Sequence, residues 1–386
     1  MGTLRFKYGP VFDTNLRVYT VRIKSKPISN PPTFGCDTFR TTHRFELGDA
    51  RTLANVASRS VDLVVTSPPY PMIEMWDPLF RELNPATGRA LDHGKGARAF
   101  DLMHSELDRV WAEVVRGLKD GGFACVNIGD AARTLNGTFE LYPNHARVIE
   151  GMRGLGMSML PGVLWRKTTN KPNKFLGSGM LPPHAYITLE HEHVLVFRKG
   201  RSRRFSQNEN ARRGQSSYFW EERNSWFSDA WTDVRGTDQR KRTGARTRSA
   251  AFPLALPYRL ISMYSLQGDV VLDPFSGTGT TTVAAACAGR SSIAVDMDRK
   301  IQEEARRRLL QSLPELQGTV EGRLRAHREF LRRSKRPPST GGPVSHVYGF
   351  PVVTQQERHI RFWRPTQVRP GPGNTVEVGY GPSLEE

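Results

Sequence analysis

Cysteine is scarce in this chain, with three in 386 residues, Cys36, Cys125 and Cys287, all widely spaced. That speaks against a disulfide framework, and Cys125 and Cys287, inside apolar segments, read as reduced, buried small residues. No apolar stretch approaches the ~20 residues needed to span a bilayer, and no terminal helix is strongly basic and amphipathic, so no membrane partner is expected. Met1–Pro10 lacks the basic segment and apolar core of a secretory signal, and a cytoplasmic location follows as the expectation. His184, His191 and His193 form no paired-histidine helix motif and there is no cysteine pair, so they read as strand and loop histidines and no metal is expected. Internal repeats are absent as well. Acidic residues are the other shortage: 38 Asp and Glu against 56 Lys and Arg give a net charge of +18 and a pI near 10.2. A polyanionic partner, most simply nucleic acid, explains that excess; a generally basic soluble protein is the duller alternative.

What is present is organised around Thr66, Ser67, Pro68, Pro69 and Tyr70, directly after the apolar run Val61–Val65. Two prolines without amide hydrogens end any strand pairing, and each restricts the residue before it to extended geometry. Ser67 and the Pro68 carbonyl are therefore held stiffly at a strand end, as a binding site requires.

Before this point, residues 1–42 hold one plausible strand, Arg17–Ile23, in an irregular N-terminal arm broken by Pro27, Pro31 and Pro32. Arg44–Leu47 reads as a strand and Ala50–Ala57 as a helix. Residues 71–100 carry few periodic apolar positions and read as a long, lid-like loop. From Leu107, the positions Val110, Trp111, Val114, Val115 and Leu118 define a helix face, which Gly121 and Gly122 stop. Strand Phe123–Ile128, helix Asn144–Leu155, an apolar stretch Met157–Trp165, a mobile loop Trp165–Leu181 and strand His191–Phe197 follow.

Composition then shifts. Between 200 and 250, twelve Lys or Arg face six Asp or Glu, with Tyr218, Phe219, Trp220, Trp226, Phe227 and Trp231 interleaved. The basic residues suit phosphate contacts or a solvated face, and the aromatics suit base stacking or a small local core, with Trp231 in the core. A helix around Leu260–Tyr264, strand Asp269–Leu272, the turn Asp273–Thr280, a helix to Ala288, strand Ser291–Val295 and Asp296 restore order. Helices Arg299–Ser312 and Gly322–Arg333 precede a Pro- and Gly-rich tail from Ser334 to which no structure is assigned. Alternating strands and helices of this length imply an α/β, doubly wound, mostly parallel sheet with ligands at the carboxyl ends of its strands. Ser67 and Asp273 each follow or end a strand, so the proline pair and the glycine turn are expected on one edge although 206 positions separate them.

The turn Asp273, Pro274, Phe275, Ser276, Gly277, Thr278, Gly279, Thr280 lets backbone approach a ligand and points helix amides at it, and Asp296 stands where an acidic residue grips ribose hydroxyls. No Lys follows the last glycine, so this is not a phosphate loop of nucleotide hydrolases, and the glycine spacing misses the dinucleotide fingerprint. Alone, the arrangement also fits a merely structural turn, the lesser of the two readings.

Thr66–Tyr70 and Asp273–Thr281, in that order, resemble the catalytic and cofactor motifs of the S-adenosylmethionine-dependent DNA amino-methyltransferases, beta group, cytosine-N4 type. Leu47–Ala50, Gly121–Asp130, His191–Lys199 and Ala251–Ile261 support the match, which covers roughly residues 43–310. The resemblance implies a seven-stranded-type methyltransferase sheet in circularly permuted order, its catalytic half (43–200) before its cofactor half (251–312). Between them lies a target-recognition region (201–250), and a basic helix and tail (313–386) follow. It implies catalytic Ser67, Pro68, Pro69 and Tyr70, and a cofactor pocket of Asp49, Phe252, Pro253, Asp273, Pro274, Phe275, Ser276, Gly277, Gly279, Thr280 and Asp296, the last a departure from the more usual Glu. S-adenosylmethionine is the implied cofactor, double-stranded DNA the partner, and a cognate restriction endonuclease an unbound counterpart. Ser67 and the Pro68 carbonyl would accept hydrogen bonds from an exocyclic amine as it attacks the methyl group, with Tyr70 stacked on a flipped base. Ser at the head of the motif implies cytosine, and Asp there would imply adenine; adenine, RNA and a non-catalytic DNA-binding protein stay open.

Overall fold

The chain is described here from a computed structural model covering residues 39–167, 176–236, 252–334 and 342–382. The expected strand Arg17–Ile23, Cys36, part of the Trp165–Leu181 loop, much of the basic segment after 236, and Ala251 lie outside the described residues.

Strand β1 (Phe39–Leu47) is longer than the sequence implied, and β2 (Val61–Thr66) is buried at all six positions. Between them the expected helix Ala50–Ala57 is a series of turns. The Asp49 carbonyl accepts the amides of both Thr52 and Leu53, Leu53 has φ 37°, and the Arg51 guanidinium is drawn to Asp49 and Glu106. Tertiary ion pairing overrides a modest local helix preference there.

The expected lid over 71–100 is largely helical: a 3-10 turn Glu74–Trp76, α1 (Asp77–Leu83), α2 (Pro85–Asp92) and the start of α3 (Gly96–Gly117). Both short helices carry Pro in their first turn, and the Asn84 side chain caps α2 by accepting from the Ala86 amide at 3.1 Å. Helix α3 buries Met103, Leu107, Val110, Trp111 and Val114, and it stops at Gly117, four residues earlier than Gly121.

There follow β3 (Leu118–Ile128), the hairpin β4 (Ala131–Leu135) and β5 (Thr138–Tyr142), α4 (Asn144–Gly154), β6 (Met157–Arg166), the short pair β7 (Leu176–Gly177) and β8 (Ala185–Tyr186), and β9 (His191–Lys199). The basic interval contains α5 (Gln207–Gln215), opened by a Ser206–Glu209 capping box, α6 (Trp220–Trp226) and β10 (Ala230–Trp231). The remainder is α7 (Ala255–Tyr264), β11 (Val270–Asp273), α8 (Thr280–Cys287), β12 (Ser291–Asp296), α9 (Arg299–Leu310), α10 (Leu313–Arg333), β13 (Trp363–Pro370) and β14 (Thr375–Pro382).

One sheet runs β10-β6-β9-β3-β2-β11-β12-β1-β14-β13. Its centre is parallel from β3 to β1, and β9 is antiparallel to β3 and β6. Both faces are covered. Leu63 and Val65 pack with α7, α8 and α9, whereas Val61 and Val64 pack with α3 and α4, so apolar residues of β2 are buried on both of its faces. Cys125 and Cys287 are free and buried, as expected, and burial pushes the Cys287 thiol up to about 12. Among the described residues no helix is long and apolar enough to cross a membrane.

The tail left without structure in fact extends the sheet. Val376, Val378 and Tyr380 alternate inward from β14, which pairs antiparallel with β1, and β13 forms the outer edge, where Pro365 and Pro370 are tolerated. Tyr380 is 1% exposed; its hydroxyl donates to the Ala286 carbonyl at 2.8 Å and lies 3.0 Å from Thr41 Oγ1. Tyr380→Phe should lower stability by about 1–3 kcal/mol in thermal or urea denaturation by leaving those buried groups short of a partner.

Candidate active site

Thr66, Asp273, Asp296 and Asp49 all lie at the carboxyl ends of β2, β11, β12 and β1, four neighbouring parallel strands. The expected shared edge is therefore present, and it is closed by a direct bond: Thr66 Oγ1 donates to Asp273 Oδ1 at 2.6 Å across 207 positions. Asp273 is 3% exposed and also accepts from Thr281 Oγ1 at 2.7 Å and the Phe275 amide at 3.1 Å. Its carboxylate thus organises the turn from within. Burial pushes this carboxyl up to about 6 against the pull of Thr66, Thr281 and the Phe275 amide.

Asp296 holds the same turn from the next strand, accepting the Gly277 amide at 3.0 Å and the Asp298 amide at 2.9 Å. Gly277 has φ +50°, and a Cβ there would meet nothing within 4 Å, so the turn faces open space. Gly279 precedes α8 without any side-chain cap, leaving the first helix amides for a ligand. Thr280 accepts from Arg308 at 3.0 Å. Asp49 is held by Arg51, which also reaches Glu106 at 2.7 Å. Phe252 and Pro253 precede α7, which leads back to the start of β11 and so begins on the carboxyl side. Pro274, Phe275 and Ser276 form the turn itself, with the Ser276 amide on the Val295 carbonyl at 3.0 Å.

Beside this turn, Pro68 and Pro69 are buried while Ser67 and Tyr70 are half-buried. Ser67 Oγ donates to Tyr70 Oη at 3.0 Å, and Tyr70 Oη donates to Glu192 Oε2 at 3.0 Å. Asn127 Nδ2 donates to Tyr70 Oη at 2.9 Å and to Glu192 at 2.6 Å, and Lys167 Nζ pairs with the other Glu192 oxygen. Burial, then the Glu192 charge, holds the Tyr70 phenol well above its ordinary value, so it stays a neutral donor. Gly129 makes this closeness feasible, since a Cβ there would sit 3.1 Å from the Tyr70 ring and 3.2 Å from Glu192 Cγ. Glu192, Asn127 and Lys167 escaped the sequence reading.

Histidines also gather where none were expected to. Asp130 accepts from the His145 amide and ring, His145 stacks on His193 at 4.0 Å, and the three offer donor atoms within 4.8 Å of one another. Burial and the neighbouring His145 pull His193 down to about 4, which leaves it neutral near pH 7. His191 packs edge-on to His193, and His184 stays apart in the exposed segment before β8.

The basic interval splits in two. Arg203 pairs with Asp269 at 2.9 Å, Asp62 at 3.5 Å and Glu209 at 2.9 Å, and Arg212 with Asp269 at 3.1 Å. Asp62 and Asp269 sit at the amino ends of β2 and β11, on the side of the sheet away from Ser67. Phe219, Trp226 and Trp231 are buried, whereas Trp220 is exposed. Most of these aromatics are core, Trp231 among them.

A doubly wound sheet with a proline motif and a glycine turn on one carboxyl edge defines a nucleoside-cofactor transferase in outline. The chain belongs to the DNA methylase family of N6 and N4 methyltransferases, whose sequence signature matches residues 61–307. It is 47% identical over 344 residues to the type II methyltransferase M.MthZI of Methanothermobacter thermautotrophicus, covering 88% of this chain and 96% of that one. It is likewise 47% identical over 273 residues to the type II methyltransferase M.MjaI of Methanocaldococcus jannaschii, 68% of this chain and 89% of the relative. Among solved structures, TTHA0409 of Thermus thermophilus, complexed with S-adenosyl-L-methionine, superposes with a TM-score of 0.54 at 34% identity, over 69% of this chain and 92% of that chain.

Proposed function

We propose that this DNA methyltransferase transfers a methyl group from S-adenosylmethionine to the exocyclic N4 amine of cytosine in duplex DNA, as the modification half of a type II restriction-modification pair. The observation that carries the reading is Ser67, a hydroxyl and not a carboxylate, heading Pro68-Pro69-Tyr70 and tied through Thr66 to the Asp273 turn. The residues fit the cofactor: the open face at Gly277, the uncapped start of α8, and acidic Asp49 and Asp296 nearby suit a zwitterionic nucleoside with ribose hydroxyls. Phe252, Pro253, Pro274, Phe275, Ser276, Gly279 and Thr280 complete the pocket, and Asp273 acts through Thr66 and Thr281. When bound, this group supplies a methyl on a positively charged sulfur. Ser67 Oγ and the Pro68 carbonyl accept from the target amine, drawing its nitrogen toward tetrahedral geometry, and Tyr70 presents its ring to a base rotated out of the duplex.

Digestion of initially unmethylated DNA after incubation with protein and S-adenosylmethionine, followed by mass spectrometry of nucleosides, tests this. N4-methylcytosine is expected. N6-methyladenine would move the activity to adenine, and the absence of product on any DNA would favour a binding-only protein.

Target recognition is assigned to residues 201–250, with phosphate contacts from basic residues other than Arg203 and Arg212. Arg203→Gln should therefore lower stability by about 1–3 kcal/mol and leave the salt dependence of DNA affinity unchanged. A flatter salt slope in that variant would put the amino edge of the sheet against DNA.

A further inference from the structure

Methyl transfer to an amine leaves one proton too many on nitrogen, and the site must take it. One hydrogen bond beyond Tyr70, itself bonded to Ser67, stands a buried carboxylate, Glu192, 8% exposed, between His191 and His193 at the start of strand β9. An ionised carboxylate only accepts hydrogen bonds, and Asn127 Nδ2 and Lys167 Nζ only donate. These fixed ends determine the direction of every bond between. Tyr70 Oη receives from Asn127 and must send its own hydrogen to Glu192 at 3.0 Å; Ser67, at 3.0 Å from Tyr70, then sends its hydrogen to Tyr70. Ser67 is left with lone pairs, not its proton, toward the substrate. Asn127 Oδ1 is buried without a partner among the described residues, so the amide is not oriented by its own oxygen.

We infer that Glu192 is the terminal acceptor of a chain from the target amine through Ser67 Oγ and Tyr70 Oη, and that it sets the polarity of Ser67 and takes up the proton released by methyl transfer. The inference rests on the proposed amine methylation. In the step, the nitrogen–carbon bond forms as the carbon–sulfur bond breaks, and that bond's electron pair goes to sulfur, which becomes neutral. The amine proton passes to Ser67 Oγ, the serine proton to Tyr70 Oη and the phenolic proton to Glu192 Oε2. Serine and tyrosine end as they began, and Glu192 ends as a neutral acid. Lys167, its side chain 38% exposed, faces the other oxygen and borders solvent, where the proton is finally lost. The charged and titratable groups about Glu192 are Tyr70 after β2, Lys167 after β6, and on the flank His193 with its neighbours His145, His191 and Asp130. Glu192 acts through Tyr70 and is therefore a positioning and proton-accepting residue.

The test compares full-length wild type with Glu192→Gln, Tyr70→Phe and the double variant. Glu192→Gln keeps shape but accepts no proton, so its single-turnover rate should fall about 10²-fold, with cofactor and DNA affinities within about twofold and the acid-side fall of the pH–rate profile flattened. Tyr70→Phe should fall similarly, and the double variant no further than the slower single, because one chain is cut twice. A second readout needs no cofactor: by NMR of 13C-tyrosine-labelled protein, the Tyr70 phenol, assigned by its loss in Tyr70→Phe, should titrate at lower pH in Glu192→Gln than in wild type. A Glu192→Gln rate within threefold of wild type, additive losses, or an unmoved Tyr70 titration would each overturn the inference. If Glu192→Gln does not fold, the tyrosine variant alone decides by its rate. Ser67→Ala separates the levels: inactive Ser67→Ala beside active Glu192→Gln sinks the relay alone, whereas active Ser67→Ala sinks the amine-methylation reading.

Discussion

Replacing Ser67 with alanine lowers the single-turnover methyl-transfer rate by roughly 10²- to 10³-fold while DNA affinity stays within about twofold. The hydroxyl is an acceptor for a group that changes shape during reaction, so its removal weakens the transition state more than the bound complex. It makes no phosphate contact in this reading, and its in-protein partner is the Tyr70 hydroxyl at 3.0 Å. Rapid-quench transfer assays and fluorescence-anisotropy binding to the same duplex distinguish the two effects. Equal loss of rate and affinity would reject Ser67 as the amine acceptor and make it a DNA contact.

The second large effect is expected at Asp273. Asp273→Ala strands the Thr66 and Thr281 hydroxyls and the Phe275 amide in a buried place, and a loss of about 3–5 kcal/mol follows. Cofactor affinity should collapse with it, because the same carboxylate joins the proline strand to the glycine turn. The isosteric Asp273→Asn separates charge from shape. The carboxyl is raised from 3.8 to about 6 in the folded protein, so between those values the folded state holds a proton that the unfolded state has released. Its contribution to stability is therefore greatest below pH 4, declines as pH rises toward 6 and is level above, a span of roughly 2–3 kcal/mol. Urea denaturation across pH 4–7 should show this decline in wild type and a shallower one in Asp273→Asn. Identical pH dependence in the two would mean that the carboxyl titrates normally.

The parts of this site that were legible in the sequence are local ones. A strand ending in Ser67-Pro68-Pro69, a glycine turn after Leu272 and an acid after Val295 each declare themselves within ten residues, and parallel topology then sends all three to one edge. Glu192 and Asn127 were not legible as partners because their bonds to Tyr70 span 122 and 57 positions. A signal existed for Asn127, a polar residue inside the apolar run Phe123–Ile128, where burial demands a partner; Glu192, between His191 and His193, gave no such signal. The helices at 77–92 were hidden for a different reason, since their evidence was capping by Asn84 and Pro in the first turn and not a long apolar stripe. At Ala50–Ala57 the local preference was simply outweighed by Arg51 reaching Asp49 and Glu106. The tail was misread because Pro and Gly counted against strands, although the inward alternation of Val376, Val378 and Tyr380 was already written there.

The place of β1 in the sheet bears on how the molecule is made. Its neighbours are β12 and β14, so a strand complete at Leu47 has no hydrogen-bonding partner until Asp296 has been joined and no second one until Pro382 has. At ~5–20 residues per second, synthesis leaves β1 without its neighbours for roughly 12–50 s for the first and 17–70 s for the second. The central sheet can therefore close only once the chain has been made through Asp296, and its β1–β14 edge only near the end of synthesis.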